Sequence, residues 1–381
     1  MKETITYSDR LKMIKFIATT KKFTNGEMVK RFESEWNEWL GSQHSLFVSS
    51  GSTANFLLLA AVKEYLGLKD GDKVLVPACT WMTNVAPVIQ LGLSPVFCDI
   101  NLDNLSFDKK HMEYLSKQNP DIKLVFSTHL LGFPSWPTDT IKEYFPNAVV
   151  IDDVCESHGV SVDGKKVGEN SVGATFSFYF GHHMTTIEGG MVSTRNEELY
   201  DLMKMKRSHG MSRESINPEF YNNKYPSMDP SFLFVTDGYN FRNHEIPAVL
   251  GSSQLKRLDK MIRRRQDNYK KFIDILSPHL DKFYMPYTGT GNSNFAFPLI
   301  SKDTDVFQLL KERLDRSGVE RRPVVSGNLL SHPFLNSYRL DYPFNTYPNV
   351  SILQNRGLYV GNNHFVGDKE ISMLKDVLDY L

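Results

Sequence analysis

The chain has 381 residues, 44 of them basic and 44 acidic, so its formal charge is zero, and 41% of its residues are hydrophobic. The even charge argues against bulk nucleic-acid binding and against an acidic tail, and no apolar run is long enough to span a bilayer. Three scattered cysteines, Cys79, Cys98 and Cys155, have no paired spacing, which speaks against a disulfide framework and against a zinc or iron–sulfur centre built from cysteines. The N-terminus has no apolar signal core, and a reducing cytoplasm is the expected compartment. A chain this long exceeds what one hydrophobic core commonly serves, so one large and one smaller domain are expected.

Residues 26–41, GEMVKRFESEWNEWLG, put Met28, Phe32, Trp36 and Trp39 or Leu40 on one helical face, with Gly41 as the stop. HSLFVSS (44–50) is a short strand. GSTANFLLLAAVKEYLG then opens with small polar residues and becomes an apolar helix ended by Gly67. KVLVP (73–77) is a strand after a DGD turn, residues 82–91 form a helix ended at Gly92, and PVFCDI follows as a strand. IKLVFSTHLLG (122–132), AVVIDDVCES (148–157), ATFSFYF (174–180) and GMVST (190–194) are further strands. Short apolar strands alternating with helices predict an α/β fold, a mostly parallel sheet sandwiched by helices.

Beyond about residue 200 the character changes. YNNKYPSMDPSF is a polar loop, and residues 246–276 read as one long helix with Gly251 as its expected break. Strand FAFPLI, helix DVFQLLKERLDRSG and final helix EISMLKDVLDYL make a small α+β C-terminal domain. The predicted division is 1–250 and 251–381. The basic run from Lys256 to Arg265 reads as a solvated helix face, given the neutral whole.

Three stretches carry chemistry. In SSGSTAN (49–55), Gly51 permits close backbone approach, and the amides of Ser52, Thr53 and Ala54 at a helix start suit a phosphate. An ordinary Ser or Thr cap explains the same pattern. In VVIDDVCES, Asp152 and Asp153 end a strand, where open α/β sheets bind ligands; a capping role and a metal site with His158, His182 and His183 are the alternatives. Adjacent strand residues face opposite ways, which disfavours a metal shared by His182 and His183 or by the two aspartates. Trp81 after another strand is either core or a cover for a flat ring. A phosphate cup, an aromatic, an acid and a base at successive strand ends together fit a phosphorylated flat heteroaromatic, and pyridoxal phosphate is such a molecule.

The ordered motifs SSGSTAN, VPACTW, IDDVCES, SFYFGHHMTTIEGG, GYNFR and VERRPV resemble the sugar-nucleotide aminotransferases of the DegT/DnrJ/EryC1/StrS family over about residues 8 to 378. The resemblance implies a type I aminotransferase fold with a cofactor-binding large domain. Family members carry a cofactor-holding lysine in SF-x-P-T-K-N-x-T-T-G-E-G-G; the matching residue here is His182. Histidine cannot hold the cofactor covalently but moves protons near neutral pH, which suits pyridoxamine 5'-phosphate (PMP) alternating with pyridoxal 5'-phosphate (PLP). The members with this replacement are sugar 3-dehydratases. One branch needs a 2Fe–2S cluster, whose cysteines are missing here, so the likeness is to the cluster-free branch, which acts on a GDP-linked 4-keto-6-deoxy sugar.

Carried over by position, the resemblance makes His182 catalytic. It gives Gly51, Ser52, Thr53, Ala54 and Ser177 to the cofactor phosphate, Trp81 and Asp153 to its ring and ring nitrogen, Glu156 to the ring hydroxyl and Asn240 to the cofactor site. His209 and Arg213 match residues that handle glutamate and the sugar nucleotide. Arg242 would hold the carboxylate of an L-glutamate co-substrate. Lys21, Phe23, Thr24 and Glu320 match substrate-contacting positions. The GYN loop reaches the neighbouring subunit's site in this family, which implies a homodimer; no metal, nucleic-acid or membrane partner is expected. His183 matches the family's asparagine and is expected to be structural. The rival readings are a PLP-dependent sugar-nucleotide aminotransferase using histidine as its base and a sugar-nucleotide-binding pseudoenzyme.

Overall fold

The computed structural model describes residues 4–336 and 347–381. Its strands are β1 (His44–Val48), β2 (Lys73–Pro77), β3 (Ser94–Cys98), β4 (Leu124–Thr128), β5 (Val149–Asp153), β6 (Ser161–Val162), β7 (Lys165–Lys166), β8 (Ala174–Ser177), β9 (Gly190–Thr194), β10 (Ala296–Ile300), β11 (Arg321–Pro323) and β12 (Gly357–Gly361). The main sheet runs β1-β9-β8-β5-β4-β2-β3. Only β9 opposes its neighbours, β1 and β8; the remaining pairs are parallel. The expected mostly parallel sheet is therefore present.

The helices are α1 (Tyr7–Thr19), α2 (Glu27–Leu40), α3 (Gly51–Tyr65), α4 (Ala86–Gln90), α5 (Lys109–Gln118), α6 (Thr138–Tyr144), α7 (Glu197–Arg207), α8 (Pro218–Lys224), α9 (Glu245–Leu255), α10 (Leu258–Leu276), α11 (Thr304–Arg316), α12 (Pro348–Arg356) and α13 (Asp368–Asp379). They cover both sheet faces, as strand alternation requires. In β2, Val74 and Val76 join the core that holds Leu57 and Leu58 of α3. Leu75 between them joins Met112 of α5 and Ile141 of α6 on the other face. A third cluster sets Phe32 and Trp36 of α2 against Phe47, Phe176 and Phe178. None of the described helices is long and apolar enough to cross a membrane.

Three local readings change. The strand expected over 174–180 stops at Ser177: Phe178 gives a last ladder bond to the Gly189 carbonyl, and a turn in which the His182 amide bonds the Tyr179 carbonyl then ends the pairing. The long helix expected over 246–276 breaks at Lys256–Arg257, between α9 and α10, and not at Gly251. Gly251 lies inside α9, where a Cβ would come within 2.6 Å of the Phe32 ring; it permits α2 and α9 to touch. The basic run is not uniformly solvated. Arg265 shares the buried face of α10 with Leu258, Met261, Ile262, Tyr269 and Phe272 and is 2% exposed. The C-terminal strands form a three-stranded antiparallel sheet, β10-β12-β11.

Candidate active site

β1, β2, β4, β5 and β8 run in one direction and end on the same edge of the sheet. Their following residues line a cavity of about 940 Å³. Gly51 and Ser52 come from the turn after β1, Trp81 from that after β2, and His129 from that after β4. Asp153 and Glu156 come from β5 and its loop, Ser177 and His182 from β8 and beyond. Glu320 and Arg322 close the cavity from the C-terminal sheet.

At the head of α3 the Ser50 side chain accepts the Thr53 amide at 3.1 Å, and the Ser50 carbonyl accepts the Ala54 amide at 3.0 Å. Thr53 and Ala54 thus have their amides committed within the helix, which narrows the expected phosphate cup to Gly51 and Ser52, the two that line the cavity. Ser177 stands beside them: a Cβ on Gly51 would meet Ser177 Cβ at 2.5 Å. Gly51→Ala is expected to cost about 1–3 kcal/mol by overpacking and to weaken PLP binding. Urea unfolding and a fluorescence titration with PLP check both.

Asp153 is buried and held from three sides. Its Oδ2 accepts the side-chain amides of Asn55 and Asn84, each at 2.8 Å, and its Oδ1 accepts the Cys155 amide at 2.8 Å. Asp152 faces away and meets His129 Nε2 at 3.2 Å and Ser171 Oγ at 2.5 Å. The opposed faces of the two aspartates agree with strand geometry. Trp81 is 55% exposed on the cavity wall, so it is not core. Glu156 accepts the Leu131 amide at 3.1 Å. Burial pushes its carboxyl up to about 7; the Leu131 hydrogen bond opposes that, and the Asp153 charge adds to it.

The two histidines of the loop after β8 part company. His182 and His183 lie in a loop, not on a strand, and their contacts separate them. His182 Nδ1 meets the Cys155 carbonyl. A carbonyl only accepts, so Nδ1 carries the hydrogen and the neutral ring keeps its lone pair on Nε2. His183 is fully buried, with Nε2 bonded to the Ser293 carbonyl at 2.8 Å. Among the described residues no group of His, Cys, Asp and Glu is arranged to hold a metal. Burial lowers His182 to about 4, against the pull of the Cys155 carbonyl and Asp153; Arg265 lowers it further.

His158 and His183, both fully buried, are also pushed well below an ordinary histidine, first by burial. The unfolded chain takes up these protons near pH 6.5 and the folded chain refuses them, so the stability they confer is complete above about 6.5 and lost as pH falls toward 4. Glu156 acts oppositely: its contribution is present below 4.5 and lost as pH rises through about 7. The three histidines, joined by His111 and His364, which burial also lowers, outweigh Glu156 and the raised carboxyls of Asp99 and Asp103. The urea midpoint of the cofactor-free protein is expected to be lower at pH 5 than at pH 7, and an equal or higher midpoint at pH 5 contradicts this.

The other expected site residues lie elsewhere. Lys21 and Phe23 precede Thr24, which bridges to His244; Arg242 bridges to Val48 at the end of β1, and its Nε donates to Asn240 Oδ1 at 3.1 Å. His209 has left-handed backbone (φ 67°) and gives its amide to the Tyr239 carbonyl at 2.7 Å, and Arg213 donates to the Ser231 carbonyl at 3.0 Å. None of these seven lines the cavity of its own chain. Conversely, Asn55, Asn84, His129 and Arg265 were not anticipated. Asn55 had a signal, one helical turn beyond Gly51; the others come together only through the fold.

The profile of the DegT/DnrJ/EryC1/StrS aminotransferase family matches residues 5–366. The chain is 35% identical over 383 aligned residues to the GDP-4-keto-6-deoxy-D-mannose 3-dehydratase of Escherichia coli O55:H7, with 96% of each covered. A solved E. coli GDP-4-keto-6-deoxy-D-mannose-3-dehydratase with bound hydrated PLP matches with TM-score 0.87 and 32% identity, over 99% of this chain and 98% of that one. A GDP-4-keto-6-deoxymannose-3-dehydratase with a trapped PLP-glutamate geminal diamine matches with TM-score 0.87 and 31% identity over the same shares. Sheet order, strand-end cavity and near-complete alignment agree: the chain belongs to the DegT/DnrJ/EryC1/StrS aminotransferase family.

Proposed function

We propose that this protein is a PMP/PLP-dependent dehydratase that removes the C3 hydroxyl of a GDP-linked 4-keto-6-deoxy sugar, with L-glutamate regenerating PMP, in deoxysugar synthesis for a bacterial polysaccharide such as the O-antigen of lipopolysaccharide. One observation carries the reading. His182 occupies the position of the family's cofactor-holding lysine, and no lysine is among the described residues that line the cavity.

The cavity suits the cofactor. Gly51, Ser52 and Ser177 would hold its phosphate at a helix start, Trp81 would cover the ring, and Asp153 would meet the ring nitrogen. Glu156, raised to about 7, is protonated in a large fraction of molecules at neutral pH and in that form can share a proton with the ring hydroxyl. When bound, the pyridoxamine form supplies an amine for the sugar's C4 ketone and a conjugated ring that takes up electron density. His182 Nε2 is the atom that accepts a proton and returns it to the departing C3 hydroxyl. With its pKa near 4, His182 is neutral at pH 7 and starts as a base. Incubation with GDP-4-keto-6-deoxymannose, PLP and glutamate is expected to release ammonia and give a product lighter by one oxygen. An amino sugar formed without ammonia overturns this in favour of transamination.

The working unit is a homodimer in this reading. Arg242, Asn240, His209 and Lys21 lie outside their own chain's cavity, as they would if they served a second copy's. Exposed apolar side chains flank these residues in the chain: Ile14 and Ile17 of α1 before Lys21, and Phe220, Phe232 and Phe234 between His209 and Asn240. Mixed preparations of His182→Asn and Arg242→Ala are expected to recover activity that neither has alone; no recovery from a protein that sediments as a monomer refutes it.

A further inference from the structure

Arg265 stands out among the arginines. It is buried, and no carboxylate lies within ion-pair distance of it among the described residues, whereas buried Arg207 has Glu33 at 2.7 Å. Its Nη1 donates to the carbonyls of Phe295, at 3.3 Å, and Asn362, and its Nε has no partner in the described structure. A buried, uncompensated charge is costly to a fold. This one lines the cavity that holds His182, and Phe295 joins the two: its carbonyl takes the guanidinium, and its ring lies 5.7 Å from the His182 ring.

Other groups face His182. Asp153, Cys155, Glu156 and His158 come from β5 and its loop, Tyr179 and His183 from its own segment. The Asp153 charge favours a protonated ring and Arg265 opposes it. We propose that Arg265 is a positioning residue whose unpaired charge works against Asp153 and extends to lower pH the range in which His182 Nε2 keeps the lone pair the reaction uses. Burial lowers Arg265 itself only to about 9, so it stays cationic at neutral pH. A buried arginine with only carbonyl partners presents its charge to the cavity instead of spending it on a carboxylate.

The inference rests on His182 being the base, and its test separates the two. The His182 ring is titrated by NMR in histidine-labelled protein, assigned by difference from His182→Asn, alongside the pH profile of dehydration. In Arg265→Met the His182 titration and the acid limb of kcat/KM are expected to rise together by about one pH unit, while Arg265→Lys leaves both in place. Arg265→Gln, which can still donate to the Asn362 carbonyl, is expected to follow Met. A loss of rate or stability with no movement of the titration marks a purely structural role and overturns the proposal. So does a native His182 that titrates at or above about 6.5, whatever the variants do. Full activity of His182→Asn defeats the reading of the base instead, and leaves the titration result standing.

Discussion

His182→Asn is expected to lower turnover by roughly 10²–10⁴-fold, the range that a positioned proton carrier contributes, with PLP affinity close to that of the native protein. Affinity survives because the groups assigned to the cofactor, at the head of α3 and the ends of β5 and β8, are untouched. An equilibrium titration with PLP and a single-turnover assay separate the two effects. His182→Lys is the sharper comparison. Lysine also carries a proton, but it would attach PLP covalently and hold the enzyme in the cycle of an ordinary aminotransferase. Mass spectrometry after borohydride reduction should find the cofactor fixed to the chain in His182→Lys and absent in the native protein. Full dehydration activity in His182→Lys would mean that covalent capture is not the reason for histidine.

The second large effect is at Asp153. Asp153→Asn is expected to reduce turnover on the order of 10²–10³-fold, the cost of removing a preorganised charge where charge develops. The change is nearly isosteric. Asn55 and Asn84 both donate to Oδ2 at 2.8 Å, so the asparagine oxygen can keep that place. The new amide nitrogen would then face the Cys155 amide, donor against donor, which adds a stability cost of about 1–3 kcal/mol. Asp152→Asn, one residue earlier, disturbs only the contacts to His129 and Ser171. It should change stability and leave the turnover of folded protein largely intact; equal losses of turnover in both variants would show that the distinction between the faces is wrong.

Residues whose surroundings are local were legible in the amino-acid sequence. Gly51 and Ser52 lie at a strand-to-helix turn, Asp153 at the end of an apolar run and His182 inside a long motif. Each could be placed at a strand end because a short apolar run followed by polar residues has few other readings. What escaped depends on distant partners. Arg265 sits in a run of basic residues, and only its spacing from Leu258, Met261 and Ile262 hinted at the buried face. Gly251 looked like a break because a glycine in a helix weakens it; the Phe32 ring that explains it lies more than two hundred positions earlier. The strands Arg321–Pro323 and Gly357–Gly361 are too short and too mixed to show a period.

The head of α3 carries a consequence for how this site tolerates change. Gly51 and Asn55 are one turn apart on one helix. In the proposed reading the first lies at the phosphate end of the cavity, and the second grips Asp153, the carboxylate assigned to the opposite end of the cofactor. The helix thereby acts as a fixed gauge between the two ends. One inserted residue would swing Asn55 by about 100° and advance it about 1.5 Å, taking its amide off Asp153 while the capped turn stayed whole. A whole added turn would restore the direction but carry Asn55 about 5.4 Å along the axis, so the separation of the two ends is fixed as well as their orientation.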